Sequence, residues 1–158
     1  MRTLAVATPT FPLLKSSEEF ECGTPPPAIA DAQQAIARAE HLVIIFPLWL
    51  GSMPTLFKGF FEQVLRPRFP FGEARKGRLP KKLLSGRTAR IIVTMGMPGF
   101  FYRLYYRAHT VRTLERNVLE FCGIRTVGSN IIRMMGAMNV KQREKWLARV
   151  AALGRRAG

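Results

Sequence analysis

The run Leu42-Val43-Ile44-Ile45-Phe46 is apolar at every position and stops at Pro47, where a short loop, Leu48 to Pro54, leads into a helix-forming stretch. Alternating polar and apolar residues mark a strand with one wet face, whereas a continuous apolar run wants cover on both faces. The run therefore predicts a central parallel strand with helices on either side. The arrangement then recurs: Thr88 to Thr94 is a second β-forming run, and it ends in another glycine-containing turn, Met95-Gly96-Met97-Pro98-Gly99.

The flanking segments agree with this reading. Ala28 to Ala39 is rich in helix formers, with Ile29, Ala32, Ile36 and Ala39 on one face. After the first turn Ser52 is placed to cap a helix with Pro54 in its first turn, and Leu56, Phe57, Phe60, Phe61, Val64 and Leu65 form its apolar face. The stretch from Arg66 to Arg87 contains Pro67, Pro70, Pro80, Gly72, Gly77 and Gly86, which predicts a long, basic, irregular connection. A helix with Val111, Leu114, Val118 and Phe121 on one side stops near Gly123; a strand around Thr126 to Ile132 and an amphipathic helix from Lys141 to Leu153 complete the chain. Strand, turn and helix in repetition specify an α/β fold, a doubly wound parallel sheet in one domain spanning residues 1–158. In such sheets ligands sit beyond the carboxyl ends of the strands, so the loops Pro47 to Pro54 and Met95 to Tyr102 are expected side by side around one cleft.

Charge limits the partners. Of 25 Lys and Arg, four fall in residues 1–65 against six acids, and 21 in residues 66–158 against four acids, for a net charge of +15. The basic residues come as singles and pairs among apolar ones, as on solvated faces, and they argue against a specific nucleic-acid site. A nucleic-acid binder would show affinity falling steeply with salt. Cys22 and Cys122 are far apart and in no C-x-x-C pair, which favours buried, reduced thiols over a metal or disulfide framework. No apolar run reaches the roughly 18 to 20 residues of a membrane helix, and no signal segment opens the chain, so the expectation is a cytoplasmic protein without a membrane span.

A tryptophan, small residues and backbone N–H groups at a strand end suit a planar heteroaromatic ring, with Trp49 as a core or rim residue closing the sheet as the alternative. The stretches "HLVIIFPLWLGSMPTLFKGFFEQVL", "ARIIVTMGMPGFFYR" and "LEFCGIRTVGS" together resemble the flavodoxin-like NAD(P)H:quinone oxidoreductases over roughly Thr10 to Gly154. The most specific piece is the F-P-x-W-x-x-x-x-P turn with the L-x-K-G-F helix after it. The resemblance implies FMN or FAD as cofactor, NAD(P)H as donor, a quinone-like acceptor using the same cleft in turn, and a homodimer. It implies that Pro47, Leu48, Trp49 and Leu50 edge the flavin ring and that Thr94, Met95, Gly96 and Met97 approach its pyrimidine end. Tyr102 and His109 are the implied substrate contacts, and Arg103 and Arg107 could meet the donor's phosphates or be solvated.

Two features depart from the family. Leu50 stands where many bacterial members carry a second aromatic residue. "TFPLLKSSEEFECGTPPP" resembles a segment that in the family follows a first strand, a phosphate-binding loop and a first helix, so the fold is expected to be shortened at its N-terminus. A shortened form of an active reductase, a natural short form that binds flavin weakly or as part of a dimer, and a non-catalytic accessory protein of the same fold are the alternatives.

Overall fold

Among the described residues three parallel strands form the sheet: β1 (His41–Pro47), β2 (Thr88–Thr94) and β3 (Arg125–Ile132), in the order β1-β2-β3. The structure, a computed structural model, describes residues 1–8, 10–73, 79–104 and 107–155, with the backbone alone at 100, 101 and 103. The helices are α1 (Ser17–Cys22), α2 (Pro27–Arg38), α3 (Thr55–Val64), α4 (Gly99–Leu104), α5 (His109–Thr113) and α6 (Val140–Arg155), and α5 runs on as a π-helical segment, Leu114–Glu120. Register places Ile44 beside Ile91 and Phe46 beside Val93, and all four are buried. Ile29 and Ile36 of α2, Phe60 and Val64 of α3, and Leu114 and Leu119 share one apolar cluster with them. Burying each such side chain contributes about 1.5–3 kcal/mol.

The opposite face of β1 corrects the expectation of a strand covered on both sides. Among the described residues β1 pairs only with β2, and Val43 and Ile45 are 51% and 57% exposed. Their apolar character is that of an interior strand, but in this sheet β1 is an edge.

Three further readings change. Ser52 does not cap α3: Pro54 occupies the cap position with no side-chain bond, and Ser52 instead pairs with Trp49. The spacing expected in the helix after His109 shifts, because a π-helical turn holds more residues than an α-helical one. Leu119 and Cys122 are therefore buried after Leu114, while Phe121 is 58% exposed and meets the edge of Phe71 at 5.1 Å. Cys22 is exposed, and only Cys122 is buried.

The segment before α2 contains a short helix capped by Ser16, whose Oγ accepts from the Glu19 amide, while a Glu19 carboxylate oxygen accepts from the amide of Lys15, the residue before the cap. Arg66, grouped by sequence with the solvated basic residues, is buried at 7% exposure and donates to Gln63 Oε1 and to the Glu19 carbonyl. Gln63 in turn donates to the Pro12 carbonyl at 2.6 Å. This network ties residues 12–19 to the end of α3. The connection from Arg66 to Arg87 is irregular as expected, pinned by a bridge between Phe71 and Lys82; Arg75, Lys76 and Arg78 lie outside the described residues.

Candidate functional site

Both turns at the carboxyl edge of the sheet are adjacent, as the strand pattern requires. Pro47 is in register with Thr94, and the Leu48 amide donates to the Thr94 carbonyl at 2.7 Å. Beyond that bond the chain reverses tightly: Trp49 and Ser52 exchange backbone bonds of 2.8 and 2.9 Å, and the two residues between them, Leu50 and Gly51, have φ of 48° and 77°. Positive φ at both central positions is the requirement of a type I′ turn, which glycine and asparagine meet readily and leucine does not. The strained turn lifts Trp49 to 63% exposure and leaves Leu50 fully exposed.

The second turn is held from the other side. The Met95 amide donates to the Ile132 carbonyl and the Met95 carbonyl accepts from Met135, at 2.9 and 3.1 Å. Gly96 beyond it is exposed, and nothing lies within 4 Å of where a Cβ would stand. Arg133 lies over Gly99, its Cδ 2.0 Å from where a Cβ would stand, but it is an exposed side chain that can swing aside.

These bonds sort the expected contacts. Leu48 is buried with its amide already used, and Met95 is buried with both backbone groups used, so neither offers a donor or a surface to a ligand. Pro47 is exposed but has no N–H to give. Trp49 offers its indole, since its amide closes the turn. Among the described residues, the amides of Leu50, Gly96 and Met97 donate to no protein acceptor. Thr94 and Met97 are half-buried beside them. An exposed indole, three unspent amides and open space over Gly96 fit the edge of a flat, acceptor-bearing ring such as a flavin.

Tyr102 corrects an expectation. It is fully buried in the apolar cluster, not on the cleft wall, because the phase of α4 turns it inward toward Val111 and Leu114. Burial pushes its phenol above the ordinary value, and hydrogen bonding with the Val111 backbone and the Thr110 side chain works in the opposite direction. His109 is exposed at the start of α5, with Nδ1 3.0 Å from Thr113 Oγ1. It lines a groove of about 660 Å³ together with Trp49, Leu50, Met53, Lys58 and Thr113. The groove lies on the α3 and α5 side of the first turn, and Thr94 to Met97 are not part of it. Its anchor is a residue that sequence reasoning missed: Thr110, 5% exposed, donates its hydroxyl to the Gly51 carbonyl at 2.5 Å.

Residues 3–153 match the model of a family described as having a flavodoxin-like fold. The chain belongs to that family. Within the flavodoxin-like proteins it is 29% identical over 111 residues to a ribosyldihydronicotinamide dehydrogenase [quinone] of Pongo abelii, a match covering 65% of this chain and 46% of that one. It is 30% identical over 94 residues to an FMN-dependent NADH:quinone oxidoreductase of Haemophilus influenzae, covering 60% and 44%. A crystal structure of a putative quinone reductase from Klebsiella pneumoniae superposes with a TM-score of 0.73 at 21% identity, over 83% of this chain and 54% of that one, which shows the shared fold. The chain thus spans somewhat under half the length of the curated relatives it matches. The resemblance seen in the turn motifs holds at the level of the family.

Proposed function

We propose that this chain forms the flavin-ring side of an NAD(P)H:quinone oxidoreductase that uses FMN, works as a cytoplasmic homodimer and reduces quinone-like acceptors. The observation that carries the reading is the pair of adjacent turns at the sheet's carboxyl edge, one displaying the exposed Trp49 indole and the unspent Leu50 amide, the other the unspent Gly96 and Met97 amides with open space over Gly96. FMN is favoured over FAD by the relative from Haemophilus influenzae, which is named as FMN-dependent.

When bound, the flavin would supply hydride acceptance from the nicotinamide and two-electron delivery to the acceptor. The chain's own part is orientation. Trp49 and Leu50 would support one edge of the ring, and the amides of Gly96 and Met97 would stabilise charge at its pyrimidine end without having to reorganise. His109, exposed and lining the same groove as Trp49, would be the side chain that touches donor or acceptor.

A fluorescence titration of the purified chain with FMN and with FAD tests the reading, followed by assay of NADH- and NADPH-dependent quinone reduction. Saturable FMN uptake that Trp49→Asp abolishes, with the circular dichroism spectrum unchanged, is expected. A colourless wild-type chain that takes up neither flavin would leave the accessory role, and the exposed edge of β1 is the feature that would then matter.

A further inference from the structure

Helix α5 starts without a cap of its own. Its N-cap residue is Ala108, which has no side-chain oxygen to offer and stands with Arg107 in a left-handed bend, φ 51° and 49°. The amides of a helix's first turn have no partner within the helix, and a cap side chain ordinarily serves the second or third of them. The third amide here is that of Val111, and among the described residues no backbone carbonyl outside α5 accepts from it. The phenol of Tyr102 takes that place from α4, while the Tyr102 carbonyl accepts from the Ala108 amide at 3.2 Å. One residue thus holds both the bend and the start of the helix.

A hydroxyl carries a single proton. Thr110 gives its own to the Gly51 carbonyl at 2.5 Å, so toward Tyr102 it can only accept, and the phenol donates to Thr110 Oγ1. The phenol oxygen is left to receive the Val111 N–H. Val111 N–H, Tyr102 O–H, Thr110 O–H and Gly51 C=O therefore form one directed chain, with Val111, Tyr102 and Thr110 all buried. Hydrogen bonds in such a chain polarise and strengthen one another. Its far end matters for the site, because among the described residues Leu50 and Gly51 make no other hydrogen bond outside their own turn. We propose that Tyr102 is a positioning residue: from within the core it sets the Trp49 turn through Thr110, and so fixes the edge on which a flat ring would lie without touching that ring. The inference rests on the flavin reading of the turn.

The test uses the full chain carrying Trp146→Phe, which leaves Trp49 as its one tryptophan. Fluorescence anisotropy of Trp49 is read without ligand, and FMN affinity is titrated in parallel. Tyr102→Phe removes one oxygen and keeps the buried ring. It should lower the Trp49 anisotropy and weaken FMN binding about two- to ten-fold, the scale of one lost hydrogen bond. Thr110→Val cuts the chain one link further on, without touching the phenol, and should do the same, whereas Thr110→Ser should keep both readings. The variant carrying both Tyr102→Phe and Thr110→Val should lose no more than the worse single one, since members of one hydrogen-bond network do not add. Ile29→Val, a core change off the chain, should lower the denaturant midpoint and leave FMN affinity within about two-fold.

Additive losses in the double variant would overturn the proposal, because Tyr102 and Thr110 would then act separately. An unmoved Trp49 in Tyr102→Phe would end it outright. An equal loss of FMN affinity in Ile29→Val would reduce the effect to general stability and overturn it too. FMN affinity unchanged in variants whose Trp49 is loosened would remove the positioning role and leave the flavin reading standing. A coupled change at Trp49 in a chain that takes up no FMN would uphold the control of the turn by Tyr102 and overturn the flavin reading.

Discussion

The hydroxyl of Thr110 donates to the carbonyl of Gly51 across 59 residues of sequence, and this one bond fixes the first turn of α5 to the tip of the Trp49 turn. Thr110 is buried and its hydroxyl also hydrogen-bonds with the Tyr102 phenol, while Gly51 sits in a left-handed conformation. Thr110→Val keeps the shape and removes the donor. We expect a loss of about 1–2 kcal/mol in urea unfolding, with weakened FMN binding, and recovery of most of both in Thr110→Ser. Unchanged flavin affinity in the valine variant would detach this bond from the site.

Leu50 occupies a position that a type I′ turn reserves for residues tolerant of positive φ. A leucine there is disfavoured by roughly 1–2 kcal/mol relative to residues that tolerate the left-handed region. Leu50→Asn should raise the thermal midpoint and stabilise the fold by about 0.5–1 kcal/mol, because the side chain it removes is already fully exposed. If the variant is also poorer at holding flavin, the strain is retained for the site.

Arg66 tests the network that ties the N-terminal segment to α3. Arg66→Ala strands the buried Gln63 side-chain oxygen, while the Glu19 carbonyl loses one donor and keeps the Gly23 amide. A loss of about 2–3 kcal/mol is expected, measured by denaturant midpoint. Early proteolytic cleavage within residues 12–24 should accompany it, since the guanidinium holds Glu19 directly and orients Gln63, which holds Pro12.

Besides the buried Tyr102 phenol, two groups give stability a dependence on pH. Burial pushes the Cys122 thiol from the ordinary 9.0 up to about 11, with the nearby Lys82 charge pulling the other way. The fold favours the neutral thiol, so its contribution is complete below the unfolded value and is lost as pH rises from about 9 toward about 11. His41 is displaced downward, first by burial and then by the Arg90 charge. Here too the fold favours the neutral form, so stability is lost as pH falls below the ordinary 6.5 and levels off once the folded group is itself protonated. Denaturant midpoints across pH 5 to 10 should show both slopes, His41→Gln removing the acid one and Cys122→Ala the alkaline one. Thiol reagents at neutral pH should modify Cys22 alone until the chain is unfolded.

The fold was legible where a signal is local and periodic. The β-forming runs end within a residue of β1, β2 and β3, and α2, α3 and α6 stand where their apolar spacing puts them. Period alone could not see that Leu114 to Glu120 would widen into a π-helical turn and bring Leu119 inward instead of Val118, because the choice is made by packing against the sheet. The site was legible as a pair of loops, and Trp49 as the residue they display. Which amides remain unspent was not legible, since Leu48 and Met95 lose theirs to Thr94 and Ile132, partners fixed by strand register. Tyr102 illustrates the same limit: a turn of helix decides between cleft and core, and no motif encodes it.

The outer rim of β1 has a further consequence for how the molecules behave in company. A six-residue stretch, His41 to Phe46, with strong β tendency, no proline and two bare branched side chains, offers its main chain as a template on which another such stretch can lie. What keeps neighbours apart in dilute buffer is mutual repulsion between bodies of net charge +15. Added salt shortens the reach of that repulsion to a few ångströms near 1 M and leaves the template untouched. Concentrated protein should therefore turn turbid as ionic strength rises, and a lysine at position 43 or 45 should keep it clear.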